Sequence, residues 1–339
     1  MSKKWPGGII TPTPATPTGP YENGAAPGIW TLSQQSYWAK QGLWPIAGNV
    51  LPTYGLFAGG SSATSAIQYI NINTTGNSTS FGSLTITSGS GGGCASSTRG
   101  IFAIGLNSGA GSSVINYVTM ATTGSGTSFG NLLAANYTLS GLSNSTTGIF
   151  FGGRNPSITA SMQYITIATT GNATSFGSLT QVLAYPVGCA STTRGVIGGG
   201  ENTGGGQSQI QYITIATTGN ATNFGNLNQV ISGAASCSSS TRGLFAGGYN
   251  DVSAVNNIVY VTIASTGNST TFGSLATAVY YTVGISSSTR GVFAGGGGAS
   301  TISAISYVTI ATTGNTTSFG NLLSVNSNFE GCSSGHGGL

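Results

Sequence analysis

The chain has 339 residues, of which only 4% are charged, with 57 glycines and a formal net charge of +4. An average soluble domain carries about 25% charged residues, so Ser, Thr, Asn and Gly must solvate this surface instead. No run of about 18 apolar residues is present, which leaves no helical membrane span, and no lysine occurs beyond Lys40, which leaves no polybasic groove for nucleic acid.

The first fifty residues differ in kind from the rest. Residues 1–6 hold two lysines with no apolar stretch behind them, so no secretory signal is expected. Residues 11–20 are Thr/Pro-rich and are expected to be extended, without a core of their own. Residues 31–41 predict a short helix, with Thr31 as its cap and Gly42 as its stop. Leu32, Gln35 and Ala39 give that helix only a weak apolar stripe. All four tryptophans, Trp5, Trp30, Trp38 and Trp44, fall before residue 50. A segment this short cannot bury four indoles by itself. Either they pack on the surface of the remaining chain, or they anchor the protein in a partner, where buried aromatics dominate interface energy. Residues 1–50 thus read as an extended docking arm and residues 51–339 as the folded body.

From Tyr54 onward one phrase recurs six times. It reads roughly T-R-G-[VIL]-F-A-G-G, a variable gap, then Y-[IV]-T-I-A-T-T-G-N-x-T-S-F-G-[SN]-L. Its tyrosines, Tyr69, Tyr117, Tyr164, Tyr212, Tyr260 and Tyr307, stand 47 or 48 residues apart. A fixed period in the range of about 40–50 residues marks a repeat architecture. Each unit is rich in Thr, Ile, Val, Tyr and Phe broken by Gly and Asn, which is strand-and-turn chemistry. In the fourth copy Val196-Ile197 ends a strand at a run of glycines. Ile210 to Ala216 is the next strand, with Ile210 and Tyr212 facing one way and Ile213 and Ile215 the other. Neither face is wholly polar, so both are expected to be covered. Thr218-Gly219-Asn220 makes a turn, Phe224 and Leu227 lie on a further strand, and the segment around Cys237 is a fourth. Four short antiparallel strands packed on both faces describe a propeller blade. The tail Gly331-Cys332-Ser333-Ser334 matches the strand that opens later copies, whereas the first copy lacks it. The fold expected is therefore all-β: a six-bladed β-propeller closed by its C-terminal strand, which also leaves no blade edge open to aggregation.

Little in the repeats offers chemistry. Cys94, Cys189, Cys237 and Cys332 share one repeat phase with Leu142 and Ile285, which describes a buried apolar slot. Equivalent positions in different blades lie too far apart for a disulfide, and a single histidine with no paired Cys spacing gives no metal site. No cofactor is expected either. Arg99, Arg194, Arg242 and Arg290 also share a phase. They either form a basic ring for an anionic group or tie neighbouring strand ends through backbone carbonyls. The Asn-x-Thr/Ser triplets at Asn77, Asn172, Asn220, Asn268 and Asn315 match a glycosylation acceptor but read more simply as turn residues. The acids, Glu22, Glu201, Asp251 and Glu330, form no pair, and His336 sits among glycines, so no enzyme is expected.

Variety gathers in the gaps after the diglycine, at residues 61–66, 106–114, 154–161, 201–209, 249–257 and 297–304. Recurring at one phase, they should emerge on one face of the ring. Arg154, Asn155, Glu201, Asn202, Tyr249, Asn250 and Asp251 are its candidate binding residues, since recognition residues concentrate on loops held by a regular scaffold. Drift of unconstrained loops is the competing reading.

This layout resembles kelch repeats: an apolar strand ending in Gly-Gly, a variable gap, a Tyr strand, then an aromatic and a Leu. Phe stands where kelch blades usually carry Trp, and the second copy departs further, with Ile104-Gly105 for the diglycine and Ser125 for the turn Asn. The Thr-Thr-Gly-Asn-x-Thr-x-Phe-Gly wording is similar to repeats in structural proteins of tailed bacteriophages, especially cyanophages and other aquatic phages. Residues 26–32 (A-P-G-I-W-T-L) and 42–45 (G-L-W-P) resemble a short N-terminal motif of such virion proteins. The resemblance implies a virion protein on the particle exterior: a fibre, spike or head, neck or tail appendage. Trp5, Trp30, Trp38, Leu43, Trp44 and Pro45 would dock it on other virion proteins. The propeller would serve host attachment, meeting a surface glycan or envelope protein. The alternative is a capsid decoration or cement protein, and a kelch-type glycan-modifying enzyme is a third class that the missing polar cluster disfavours. Phage appendages are often trimers, so a homotrimer is expected by the same analogy.

Overall fold

A computed structural model describes residues 31–40, 52–61 and 64–339. The chain divides into two units, Met1–Pro52 and Thr53–Leu339. In the first, the expected helix runs over Leu32–Lys40. Thr31 caps it: the Gln34 backbone N–H donates to Thr31 Oγ1 at 3.3 Å and the Thr31 N–H donates to Gln34 Oε1 at 2.8 Å. This reciprocal pair satisfies two amides that the first turn leaves without partners. Trp38 meets the exposed Tyr37 edge-on at 5.0 Å. The stretch expected to be extended, and with it Trp5, Trp30, Gly42, Leu43, Trp44 and Pro45, lies outside the described residues.

The second unit is a six-bladed β-propeller, each blade built on an antiparallel sheet. Blade 4 shows the pattern. Its strands run from the axis outward as Val187–Ala190, Arg194–Gly198, Gln209–Thr214 and Thr222–Asn226. The strand around Cys237 is not its fourth member. Ala235–Ser238 pairs with Arg242–Ala246 and so opens blade 5, which continues through Asn257–Thr262 and Thr270–Ser274. The short stretch between Cys237 and Arg242 forms a tight turn, so the opening strand pairs with the Arg242 strand of the next copy. Blade 6 is Val283–Ser286, Arg290–Ala294, Ala304–Thr309 and Thr317–Asn321. Blade 2 carries an extra short strand, Leu106–Asn107, on its third strand, Ala110–Thr119.

Closure takes the expected route. Glu330–Ser333 is the innermost strand of blade 1, pairing Leu56 with Cys332 and Ala58 with Glu330. Ser334 extends the seam, donating its backbone N–H to Tyr54 O and accepting from the Tyr54 N–H, both at 2.9 Å. The six innermost strands pack side by side around the axis and return to their start.

The apolar core lies between blades. Ile210 and Phe224 of blade 4 pack with Phe245, Val261 and Ile263 of blade 5. Ile213 of the same blade 4 strand, and Ile215 just past its end, turn the other way, onto Leu142, Ile149 and Phe176 of blade 3. Two-residue alternation thus sends one strand's side chains to two neighbours, and six such clusters close the ring. The cysteine slot belongs to this packing. All four thiols are free and buried, and burial pushes the Cys189 and Cys332 thiols up to about 12. Each slot residue seats against the glycine that follows the Arg-phase residue of the next blade. A Cβ on Gly243 would come within 2.5 Å of Cys189 Sγ, so only glycine fits there.

The arginines tie blades together. Arg99, Arg194, Arg242 and Arg290 lie over Tyr117, Tyr212, Tyr260 and Tyr307 at 4.3–4.5 Å. Each also donates to a backbone carbonyl of the following blade, as Arg290 does to Ile72 at 2.7 Å. Cation–π contact and carbonyl bonding account for the repeated Arg–Tyr pairing. The turn asparagines do similar work: Asn220 Oδ1 accepts from the Ser178 N–H and Asn268 Oδ1 from the Asn226 N–H, each at 2.9 Å in the preceding blade.

Candidate binding site

The second strand of each blade runs from the Arg phase, held by Tyr54 in blade 1 and Thr147 in blade 3, toward the diglycine phase, so the variable loops gather on the face opposite the arginines. At the centre of that face, each inner strand is entered through a residue of left-handed backbone. Ser90, Thr138, Tyr185, Gly233, Tyr281 and Asn328 have φ between 52° and 59°. The left-handed turn aims each of these amides at the preceding blade. Thr138 N donates to Ser90 O at 2.6 Å, Tyr281 N to Gly233 O at 2.6 Å, and the series closes with Ser90 N on Asn328 O at 2.7 Å. Six backbone hydrogen bonds, 2.6–3.3 Å long, circle the axis and tie the entries of the inner strands together.

Gly233 breaks the ring's symmetry in a useful way. A Cβ there would stand 2.5 Å from the Tyr281 ring. Without one, Tyr281 of blade 6 leans over blade 5 and meets Tyr185 of blade 4, with ring centroids 4.7 Å apart. Burial raises the Tyr281 hydroxyl, helped by Tyr185 and the Glu201 carboxylate, and burial likewise raises Tyr185. The axial cavity lined by this pair measures about 120 Å³, room for waters but below the roughly 300–1,000 Å³ of a ligand pocket. At the opposite end, His336 Nε2 lies 3.0 Å from Ala95 O and 3.2 Å from Ser143 Oγ, while Gly338 N donates to its Nδ1 at 3.2 Å. Burial lowers the His336 imidazole from its ordinary value.

The loop face has a larger recess off the axis. It lies between the loops of blades 5 and 6 and measures about 520 Å³. Tyr249 and Tyr280 meet edge-on at 5.8 Å and line it. Tyr280 in turn stands 4.8 Å from Tyr281, so four tyrosines run in series from the axis to the rim. Ser253, Thr277 and Ser300 bring hydroxyls to the lining and Ile302 an apolar side chain.

The seven residues expected to bind divide between two roles. Arg154 and Glu201 form an ion pair at 3.2 Å between the loops of blades 3 and 4, each about one-third exposed. Asp251 accepts the Gly206 N–H with both carboxylate oxygens, at 2.9 and 3.0 Å, tying the blade 5 loop to blade 4. Asn250 Oδ1 accepts from Val252 N and Ser253 N, Asn202 Oδ1 from Gly204 N, and Asn155 Nδ2 donates to Ala135 O. These side chains shape the loops. Tyr249, 37% exposed, is the one that also lines the recess. Reading the gaps alone passed over Tyr185, Tyr280 and Tyr281. Their signal was present: each is an aromatic residue at a repeat phase where most other copies carry a small or polar residue.

The remaining described acid, Glu330, is enclosed between blades 1 and 2. Ser88 Oγ donates to its Oε1 at 2.6 Å and Gly91 N at 2.8 Å, whereas Oε2 has no partner. Burial pushes its carboxyl up to about 7 against these two bonds and one from its own backbone N–H. Among the described residues no group of three or more His, Cys, Asp or Glu converges as a metal site would require.

No family model and no curated protein matches this chain. Among solved structures, that of a protein named YjhT is similar, with a TM-score of 0.61 at 11% identity, covering 74% of this chain and 88% of that chain. At that identity the likeness speaks for the propeller fold alone.

Proposed function

We propose that this is a non-enzymatic virion protein of a tailed bacteriophage, mounted through residues 1–50, whose loop face attaches the particle to its host. One observation carries the reading: the two faces of a single ring are built on opposite plans. On one face the repeats keep Arg, Tyr and turn Asn in the same bonds. On the other, the same strands feed loops that differ in length and aromatic content. A rigid scaffold with its variety on one face suits recognition. The kelch-like layout and the phage-like repeat wording add the family by analogy. Glu201 is paired, Asp251 holds backbone and Glu330 is enclosed against the Ser88 hydroxyl, so each of these acids has structural work.

The test uses particles and full-length protein together. Deleting residues 1–50 should leave a folded ring that no longer joins the particle; normal incorporation ends the docking role. Purified protein should coat the host cell and compete with particle adsorption. Particles that lack the protein yet adsorb normally would end the attachment role, and if such particles are fragile the cement reading replaces it.

A further inference from the structure

The recess between blades 5 and 6 has a lining that selects among ligand classes. We propose that it holds a neutral saccharide, with Tyr249 and Tyr280 offering ring faces to the sugar and Ser253, Thr277 and Ser300 offering hydroxyls. This rests on the reading of the loop face as a recognition surface and names what it recognises.

Four observations point the same way. The recess, at about 520 Å³, is of ligand size, whereas the axial cavity, at about 120 Å³, is not. Its lining holds no charged side chain. Among the described residues the cation on this face is Arg154, half-buried and already paired with Glu201, so a sulfated, phosphorylated or carboxylated ligand finds no free counter-charge in the lining. A peptide is poorly matched too, because strand addition needs unpaired backbone. Here Tyr280 and Gly297 exchange both their backbone hydrogen bonds, and Tyr249 exchanges both with Ser232. What remains is aromatic surface beside hydroxyl groups. A pyranose ring has C–H bonds on its faces, which meet the negative face of an aromatic ring favourably, and its equatorial hydroxyls suit Ser and Thr. The two tyrosines are held for this: Tyr280 is braced by Tyr281, and the Tyr249 hydroxyl donates to Val252 O at 3.3 Å. Aromatic side chains fixed before binding lose little freedom on contact.

The experiment applies full-length protein to an array of neutral oligosaccharides and their sialylated, uronate and sulfated counterparts, then tracks any neutral ligand by titration calorimetry. Binding to neutral structures is expected, weakened roughly tenfold by Tyr280→Ala or Tyr249→Ala and abolished by Ala299→Trp, which fills the recess from an exposed position. Thr312→Trp, on the opposite face, should leave it unchanged. Unaltered melting of Ala299→Trp separates a blocked site from a misfolded one. No neutral binding, binding only to acidic saccharides, or binding indifferent to both tyrosines and to Ala299→Trp overturns the proposal. If the protein coats host cells without binding any neutral saccharide, the ligand class falls and the attachment role stands. If it binds the saccharide but fails to coat cells, the ligand class stands and attachment falls.

Discussion

Glu330 makes a direct test of the packing between blades 1 and 2. Its carboxyl is enclosed, with Oε2 lacking any partner, and burial raises its pKa from 4.5 to about 7. A raised carboxylate value means that the folded ring holds a proton the unfolded chain gives up. Below about pH 4.5 both states are protonated and folding carries no penalty. Between pH 4.5 and 7 the folded state binds more protons, so stability falls as pH rises; above about 7 the loss is complete. A difference of about 2.5 pKa units corresponds to roughly 3 kcal/mol, a large share of a domain's net stability. Glu330→Gln keeps an acceptor for Ser88 and Gly91 but cannot ionise. Unfolding free energies from guanidinium titrations of both proteins, across pH 4 to 8, give the difference curve. Other titrating groups, His336 included, are common to both and cancel. Wild type should lose about 3 kcal/mol relative to the variant over that interval. A flat difference, or one that rises with pH, would show that Glu330 is solvated in the folded ring and refute the enclosed carboxyl.

The geometry sets three further outcomes. Gly243→Ala pushes a methyl onto Cys189 Sγ and should lower stability by about 1–3 kcal/mol; adding Cys189→Ala should recover much of it, and an unchanged melting temperature for the single variant would contradict the contact. Removing residues 328–339 strips the inner strand from blade 1 and exposes the edge of Tyr54–Ala58, so the product should aggregate on size-exclusion chromatography rather than elute as a folded monomer. His336, whose imidazole burial lowers, contributes stability above its unfolded value of 6.5 that is lost as pH falls through the lower folded value. Protonating Nδ1 removes the acceptor for Gly338 N, so hydrogen-exchange protection at Gly338, corrected for the intrinsic rate at each pH, should fall in acid before the blades open; protection that does not change with pH argues against that bond.

The blade count, the strand positions and the closing strand were legible from periodicity, because each depends on residues within one 47- or 48-residue unit or on a match between two units. The slot shared by Cys, Leu and Ile and the strand-tying Arg were legible for the same reason: six instances of one contact leave a pattern. The Cys237 strand reads both ways in the sequence, as the fourth strand of one copy and as the opening strand of the next; which neighbour wins the hydrogen bonds decides it, and the tight turn to Arg242 favours the following copy. The tyrosines stand out from their repeat phase in the sequence, but the recess and the contacts that join them into a series were out of reach. Tyr185 and Tyr281 are two blades apart, and they meet because Gly233, in the blade between, has no side chain. Repetition in a chain encodes what every blade does alike. Contacts made once, by residues that break the repeat, depend on how far each side chain reaches across a curved ring, and that distance exists only after the ring has closed.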